Sequence, residues 1–250
     1  MVHVPYKGSG PALNDLLAQR RRDPSFFRTL RDDMTVTFRW TPRDGAVWWR
    51  NRASDHDVWL VESSVVGPLA VPRNSFYQMN PVMADLLVEA VQSRLKDSPP
   101  HTVVDLFCGV GVFALAAATL RTPRVIGIDL DGPGIKAAEF NARKLGLAGT
   151  HWKAATAQEG MPGLGLDRPD ETTVIADPPR SGLGRKLVQD ILKHRPRRIL
   201  YISCAPDTMV RDAAWLKEGG YSVGSSQLFD LFPRTAHFES LTEFRFTGLS

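Results

Sequence analysis

Two cysteines are the residues most capable of nucleophilic chemistry in this sequence, and their surroundings differ. Cys204 follows a β-branched run and stands two residues before Pro206, at the predicted start of a helix. The partial positive charge of a helix N-terminus lowers the pKa of a nearby thiol, so we predict that Cys204 is a nucleophile. Cys108 lies within a glycine turn, where a small packing residue is the simpler interpretation. Two cysteines form neither a disulfide framework nor a metal site, and we expect no metal.

A general base for such a nucleophile is available in residues 230–240, between the last two predicted strands. A connection of this length is longer than a hairpin requires and is typical of a functional loop. Glu239 could accept a proton once it is desolvated, whereas His237 titrates near neutral pH without assistance. Spacing alone does not choose between these two residues.

A third polar segment, residues 177–182, has the sequence DPPRSG and follows another predicted strand. Ligands in open α/β sheets bind at the carboxyl ends of the strands. Two consecutive prolines make the segment rigid, which would fix the Asp177 carboxylate against a planar amide or a nucleobase edge. The alternative is a simple strand-to-helix turn that contains proline.

A glycine turn between a strand and a helix indicates a nucleotide site. Gly109, Gly111 and Ala114 match the pattern G-x-G-x-x-[GA]. Asp129 ends the next predicted strand, where its carboxylate can accept both hydroxyl protons of a ribose. A nicotinamide dinucleotide and S-adenosylmethionine both fit this pattern. Asp105, within the first strand, either faces the ammonium group of the cofactor or caps a backbone turn.

The elements that position these residues form an α/β pattern after residue 99. Short β-branched runs alternate with helical patterns, which predicts a largely parallel sheet with crossover helices. The last two strands have no helix between them, so we expect the sheet to end in an antiparallel pair. The seven predicted strands are Thr102–Phe107, Arg124–Leu130, His151–Thr156, Thr172–Asp177, Arg198–Ser203, Tyr221–Phe229 and Leu241–Phe246. The predicted helices are Val112–Leu120, Gly134–Leu145, Gly184–His194 and Pro206–Glu218.

The first part of the chain has a different pattern. Three short runs predict strands at Met34–Trp40, Ala46–Arg50 and Val58–Glu62, the first two around a Pro-Arg-Asp-Gly turn. An amphipathic helix over Asn80–Lys96 then leads into the α/β region. We therefore predict a small β-rich N-terminal subdomain, residues 1–79, followed by a larger α/β domain, residues 80–250.

Composition limits the class of protein. The chain has 250 residues, of which 43% are hydrophobic and 23% charged, so it can bury a sizeable core. No apolar run approaches the roughly 20 residues that span a bilayer, and the N-terminus lacks a secretory signal. We therefore expect a cytoplasmic protein without a membrane partner. The net charge of +4 suits a polyanionic partner.

Basic and aromatic residues near the N-terminus are candidate contacts for RNA. Guanidinium groups neutralise phosphates, and aromatic faces stack on unpaired bases. The alternative, which the sequence leaves equally open, is a solvated charged helix with a tryptophan pair that closes a small core. The candidates are Arg20, Arg21, Arg22, Arg28, Arg31, Trp48, Trp49, Arg50 and Arg52.

Taken in order, five segments of the chain resemble the RNA uracil-5-methyltransferase family, whose members use S-adenosylmethionine to make 5-methyluridine in tRNA or ribosomal RNA. A thiol in S-C-x-P after D-P-P-R-x-G is much more specific than a glycine pattern. The resemblance implies a Rossmann-like class I methyltransferase fold with a seven-stranded mixed sheet. The segments are NSFYQMN (74–80), DLFCGVG (105–111), DPPRSG (177–182), SCAP (203–206) and DLFPRTAHFE (230–239).

The resemblance also implies roles for individual residues. Cys204 would be the nucleophile that adds to C6 of uracil, and Glu239 the base that removes the C5 proton, which leaves His237 as a loop residue. Gln78 and Asp177 would contact both the uracil and the cofactor, with Asp177 part of the catalytic group. Further cofactor contacts would be Asp105, Phe107, Gly109, Gly111 and Asp129, and further substrate contacts Phe76 and Arg180.

Two departures from the family concern RNA binding and the cofactor. Neither an N-terminal RNA-binding β-barrel nor a cysteine cluster for an iron–sulfur centre is recognisable. The RNA-binding surface would then come from elsewhere, a partner protein included. In addition, Val112 stands where the family often has a polar residue, so one cofactor contact is expected to be missing.

Two alternative functions stay open at this level. A methyltransferase acting on a nucleobase amino group would carry an aromatic residue where this chain has Arg180, and it would leave Cys204 unused. A non-catalytic RNA-binding protein of the same fold would need neither Cys204 nor Glu239. A nicotinamide-dependent oxidoreductase would explain only the glycine turn.

Overall fold

The computed structural model describes residues 59–72, 75–77, 81–230 and 238–248. The predicted strands Met34–Trp40 and Ala46–Arg50 lie outside this part of the chain, as do the candidate RNA contacts between Arg20 and Arg52. The chain divides into two compact units, residues 1–61 and 62–250. The domain boundary that we expect at residue 79 stays a prediction.

The described strands form two sheets, and they are numbered here in chain order. Strands β1 and β2 make a two-stranded sheet, and the other seven make a larger one. Their bounds are β1 Trp59–Ser64, β2 Gly67–Pro72, β3 Thr102–Leu106, β4 Arg124–Asp129, β5 Thr150–Ala154, β6 Thr172–Ala176, β7 Arg198–Ser203, β8 Tyr221–Phe229 and β9 Glu239–Phe246.

The described helices lie mainly between the strands of the larger sheet. The α-helices are α1 Pro81–Asp97, α2 Val112–Thr119, α3 Gly132–Lys144, α4 Ala157–Gly160, α5 Gly184–His194 and α6 Pro206–Glu218. Two short 3-10 helices, Met161–Gly163 and Pro169–Glu171, precede β6.

The larger sheet has the strand order β5-β4-β3-β6-β7-β9-β8. Its first five members pair in parallel, and β9 is antiparallel to both β7 and β8. The predicted seven-stranded mixed sheet with a terminal antiparallel pair is therefore confirmed. The chain order reverses between β3 and β6, which creates the crevice where open α/β sheets bind ligands.

Burial of the central strands explains why they are almost continuously apolar. Every residue of β3, β6 and β7 is buried, because helices cover both faces of the sheet. Helix α2 is rich in alanine, and its small buried side chains let it lie close to the sheet. The largest fully buried side chains of the domain include Tyr201, Phe244, Leu106, Leu115, Ile128, Met161, Ile175 and Leu187.

A buried asparagine attaches β2 to helix α3. Asn141 accepts a hydrogen bond from the Ala70 amide (2.8 Å) and donates one to the Ala70 carbonyl (3.0 Å). The amide of Ser75 then bonds the carbonyl of Pro72 (3.0 Å), which turns the chain directly after the strand. These bonds fix where residues 75–77 leave β2.

The structure differs from the predicted elements at a few places with identifiable causes. Strand β2 is absent from the prediction because Gly67, Pro68 and Pro72 favour a turn, although proline is tolerated in an edge strand. Helix α4 has four residues, too few for a helical period. Among the described residues, no helix is both long and apolar enough to cross a membrane.

Candidate active site

The glycine turn joins β3 to α2 through three residues with left-handed backbone conformations. Phe107, Gly109 and Gly111 have φ values of 64°, 55° and 84°. A Cβ atom on Gly111 would lie 2.6 Å from the Trp152 ring, so only glycine fits there. A Cβ atom on Gly109 would meet no atom of the described residues within 4 Å, which makes the backbone at Gly109 accessible to a ligand from that side.

Asp129 closes this turn from the next strand. Its two carboxylate oxygens accept hydrogen bonds from the amides of Gly109 (2.8 Å) and Asp131 (2.7 Å). Each oxygen keeps a lone pair for another donor. The following side chain, Leu130, is 72% exposed and offers an apolar surface beside the carboxylate. This geometry fits the predicted ribose contact.

Asp105 is completely buried inside β3, and it is only partly satisfied. One carboxylate oxygen accepts the amide of Ala114 (2.8 Å), while the other has no hydrogen-bond partner among the described residues. Burial raises the pKa of Asp105 well above its usual value, and the negative charges of Asp177 and Asp129 contribute. The structure thus includes the cap that we considered and leaves one oxygen for a further donor.

Strand pairing brings Cys204 and Glu239 together. Ser203 on β7 is paired with Ser240 on β9 in antiparallel register. Cys204 directly follows Ser203, and Glu239 directly precedes Ser240, so both residues adjoin the last pair of this ladder. The two side chains are close enough for the charge of Glu239 to raise the pKa of Cys204. A candidate nucleophile and a candidate base therefore occupy adjacent positions.

Glu239 is the first residue of β9 rather than a loop residue, which corrects our placement of it. It is only 5% exposed, and one of its carboxylate oxygens has no hydrogen-bond partner among the described residues. Burial raises the pKa of Glu239 to about 7, although the positive charge of Arg180 opposes the shift. A carboxyl group with such a pKa can exchange a proton near neutral pH.

Asp177 directly follows β6, beside the end of β3. Its amide donates a hydrogen bond to the carbonyl of Leu106 (3.3 Å). Burial raises the pKa of Asp177 to about 8, and the negative charge of Glu239 adds to the shift. The side chain therefore shares the crevice with the glycine turn and with the cysteine–glutamate pair.

The pKa of Cys204 does not follow the expected direction. Helix α6 begins at Pro206, as predicted, but burial raises the pKa of the thiol and the nearby charges of Glu239 and Asp177 raise it further. The exposed side chain of Arg180 opposes this shift. Desolvation and two neighbouring acids thus outweigh the helix N-terminus. A thiolate at Cys204 requires a local change, such as removal of a proton by a neighbouring carboxylate.

Of three further candidate site residues, one is described and two are not. Phe76 is 74% exposed, so its ring is available to a ligand. Gln78 and His237 are not among the described residues. Within the described ranges, no three His, Cys, Asp or Glu side chains group as metal ligands would.

Sequence reasoning missed a polar group on α6 that contacts the DPPRSG loop. Its members are Thr208, Arg211 and Asp212, whose hydrogen bonds reach the backbone of residues 180–183. One signal was available in the sequence. Asp212 shares the spacing of Met209 and Leu216, so an acid stands on the apolar face of an amphipathic helix.

The sheet order, the glycine turn at the switch point and the acid at the end of β4 define a Rossmann-like class I methyltransferase fold. Solved structures agree. The tRNA (uracil-54, C5)-methyltransferase of Pyrococcus abyssi, in complex with S-adenosyl-L-homocysteine, aligns with a TM-score of 0.64 at 29% identity. The alignment covers 77% of this chain and 48% of that one.

Sequence comparison identifies the family. The family model described as tRNA (Uracil-5-)-methyltransferase matches residues 69–243. The 23S rRNA (uracil(747)-C(5))-methyltransferase RlmC of Shewanella sp. (strain W3-18-1) is 35% identical over 194 residues, which cover 75% of this chain and 49% of the relative. An uncharacterized RNA methyltransferase of Enterococcus faecalis is 36% identical over 172 residues, which cover 69% of this chain and 37% of the relative.

The chain therefore belongs to the RNA uracil-5-methyltransferase family, as its motifs indicated. It spans about half, or less, of the length of these curated relatives.

Proposed function

We propose that this protein methylates C5 of a uridine in structured RNA, with S-adenosylmethionine as donor and a covalent bond between Cys204 and C6 of the uracil. The observation that carries the proposal is the proximity of Cys204 to a buried glutamate, Glu239, since the two residues adjoin the last pair between β7 and β9. An amino-group methyltransferase uses no such pair. Family membership and the named activities of the relatives support the same reaction.

The residues of the glycine turn fit S-adenosylmethionine. The unpartnered oxygen of Asp105 suits the ammonium group of its methionine part, and the lone pairs of Asp129 suit the ribose hydroxyls. The open backbone at Gly109 permits close approach between these two contacts. When bound, the cofactor supplies an electrophilic methyl group on a sulfonium centre.

Cys204 overcomes the low nucleophilicity of C5. Its thiol gives up its proton to solvent, the thiolate forms a bond to C6, and the electrons of the C5–C6 double bond move to C5 and the C4 carbonyl as an enolate. C5 then forms a bond to the methyl carbon, whose bond to sulfur breaks with its electron pair on sulfur. Cys204 thus provides the electrons that the uracil ring lacks.

Glu239 completes the reaction by removing the proton that remains on C5. The electrons of that C–H bond re-form the double bond, and the bond between C6 and Sγ breaks to return the Cys204 thiolate. A carboxylate with a pKa of about 7 is a better base than an ordinary glutamate. The proximity of Glu239 to Cys204 supports this assignment.

Asp177 and Arg180 are proposed to orient the uracil. A half-buried carboxyl with a pKa of about 8 stays protonated at neutral pH and can donate a hydrogen bond to a carbonyl oxygen of the base. The guanidinium of Arg180 lowers the pKa of both Cys204 and Glu239, which favours their reactive forms. Exposed Phe76 offers an aromatic face to a base, and Gln78 is proposed as a further contact.

The RNA class is proposed as tRNA or ribosomal RNA, because the named relatives act on one or the other. A uridine in folded RNA must leave its stack to reach Cys204, at a cost of a few kcal/mol. The exposed ring of Phe76 is proposed to offset part of that cost by stacking on the uracil.

The test is methyl transfer to defined RNA. Unmodified transcripts of tRNA and 23S rRNA are incubated with the protein and methyl-labelled S-adenosylmethionine, and the nucleosides are then separated by mass spectrometry. We expect labelled 5-methyluridine in one transcript class and none with Cys204→Ala. Label on a nucleobase amino group, or transfer that survives Cys204→Ala, would contradict the proposal.

A further inference from the structure

Helix α6 binds the backbone of the DPPRSG loop through three side chains. The Thr208 hydroxyl donates to the carbonyl of Arg180 (3.0 Å), and the Arg211 guanidinium donates to the carbonyl of Ser181 (2.8 Å). Asp212 accepts the amide of Leu183 (2.6 Å). Helix α6, which follows the nucleophile, therefore binds residues 180–183, at the end of the loop that begins with Asp177.

Asp212 links this loop to the strand that ends beside Cys204. The carboxylate is completely buried, and the oxygen that accepts the Leu183 amide also accepts the Tyr201 hydroxyl of β7 (2.8 Å). Its other oxygen accepts two hydrogen bonds from Arg211, at 3.1 and 2.8 Å. One side chain therefore joins the loop, β7 and α6.

Gly182 shows how closely the loop approaches the helix. Its φ of 75° is left-handed, and a Cβ atom there would lie 2.4 Å from the carboxylate of Asp212. The same atom would lie 2.9 Å from Arg211 and 3.2 Å from Thr208. A side chain at this position would push the loop away from α6.

We propose that three α6 residues, Thr208, Arg211 and Asp212, are positioning residues that hold the loop 177–182 in register with the nucleophile. The inference rests on the proposed function, since it assigns these residues to the same reaction. None of the three is assigned a contact with the uracil. Their effect follows because a displacement of about 1 Å between reacting groups can lower a rate about 100-fold.

The first experiment compares two buried aspartates on neighbouring helices. Asp212→Asn removes the charge that pairs with Arg211, whereas Asp190→Asn makes the same change on α5, where the carboxylate pairs with Lys193 (2.7 Å). For Asp212→Asn we expect kcat to fall about 100-fold, with the Kd of S-adenosylmethionine and the KM of RNA within about threefold. For Asp190→Asn we expect kcat within about twofold of wild type.

A second pair of variants avoids the fully buried site. Thr208→Val removes the hydroxyl that bonds the Arg180 carbonyl and keeps the side-chain shape, while Thr208→Ser keeps the hydroxyl. We expect kcat to fall about tenfold for Thr208→Val and to recover in Thr208→Ser. This pair decides the question if Asp212→Asn does not fold.

The readout separates positioning from stability. Rates are normalised to the number of sites that bind S-adenosylmethionine, so a loss of folded protein alone leaves kcat unchanged. Unchanged kcat in Thr208→Val and in folded Asp212→Asn would overturn the inference while wild type still makes 5-methyluridine. Wild type that methylates no uridine would instead overturn the proposed function.

Discussion

The large sheet buries charged side chains at both ends of its parallel strands, but the hydrogen-bond and charge partners of these side chains differ between the two ends. At the carboxyl ends, Asp105, Asp177 and Glu239 are three acids with raised pKa values. Asp105 and Glu239 each keep an oxygen without a hydrogen-bond partner among the described residues. The charged form of each acid is disfavoured by burial, and no ion pair within the described part of the chain matches it.

At the amino ends, the buried charges of Arg198 and Glu243 both have hydrogen-bond partners, and the negative charges of Glu243 and Asp97 favour the charged form of Arg198. Arg198, the first residue of β7, donates to the carbonyls of Arg94 (2.6 Å) and Ser98 (3.0 Å) and to the hydroxyl of Thr173 (3.2 Å). Glu243 on β9 is only 3% exposed and pairs with the guanidinium of Arg245. This arrangement ties α1 to the sheet.

The difference between the two ends indicates two reasons for burying a charged group, a structural one at the amino ends and a proposed functional one at the carboxyl ends. A buried ion that is fully hydrogen-bonded costs little once formed, and removal of a partner is destabilising. A buried acid without a partner costs stability in its charged form, and it is retained where a reaction needs a proton acceptor near neutral pH. Strand β9 contains both cases, since Glu239 and Glu243 lie four residues apart on it.

The largest expected effect comes from replacing each of these two glutamates with glutamine in a separate variant. Glu239→Gln removes the proposed base, so we expect kcat to fall about 1000-fold and a methylated protein–RNA complex to accumulate. Glu243→Gln, the matched control, should keep kcat within about twofold and lose about 2 kcal/mol of unfolding free energy. Methyl-transfer kinetics and denaturant unfolding measure the two. Equal losses of kcat would show that the two ends of the sheet do not differ in function.

Arg198→Met tests the amino ends alone. The substitution leaves the carbonyls of Arg94 and Ser98 without their donor, so we expect a loss of about 3 kcal/mol in unfolding free energy. The measurement is urea unfolding, with the pH dependence of kcat as the control. An unchanged stability would remove the structural role assigned to this cluster.

The pH dependence of stability tests the carboxyl ends. The pKa of Glu239 is about 7 in the folded protein and 4.5 ordinarily, so the folded state holds its proton more tightly than the unfolded state. Stability from this group is therefore full below pH 4.5 and is lost as the pH rises through 7. Glu239→Gln should equal wild type at pH 4 and exceed it by about 3 kcal/mol at pH 8. If Glu239→Gln were less stable than wild type at pH 8, the conclusion that the folded state disfavours the charged form of Glu239 would be contradicted.

The pH dependence of the rate gives the smallest expected effect. The base must be ionised, so kcat/KM should rise by up to about tenfold per pH unit below the pKa of Glu239, near 7. Methyl transfer at constant ionic strength between pH 5 and pH 8 measures the profile. A flat profile over this range would exclude Glu239 as the limiting base.

Much of the fold was predictable from local patterns. The β-branched runs gave both bounds of β7 and the start of β6, which ends one residue before the predicted Asp177, because both strands are buried on both faces. The glycine turn was predictable because only glycine fits against Trp152 at Gly111. The hairpin strand β2 was not predictable, since its prolines are also typical of a turn.

The candidate site was predictable as a set of residues but not as an arrangement. The motifs singled out Cys204 and Glu239, yet their proximity depends on the insertion of β9 between β7 and β8. The pKa of Cys204 was predicted in the wrong direction. The helix N-terminus can be inferred from the sequence, but the burial of the thiol, which raises its pKa, cannot. The role of Asp212 also depends on a contact between distant segments.

The central claim is that Cys204 forms a covalent bond with uracil, and intact mass spectrometry tests it most directly. RNA that contains 5-fluorouridine has no C5 proton for Glu239 to remove, so the intermediate cannot resolve. With S-adenosylmethionine present, we predict a stable protein–RNA adduct for wild type and for Cys108→Ala, and none for Cys204→Ala. An adduct that persists in Cys204→Ala, or its absence from a wild-type protein that methylates RNA, would contradict the account.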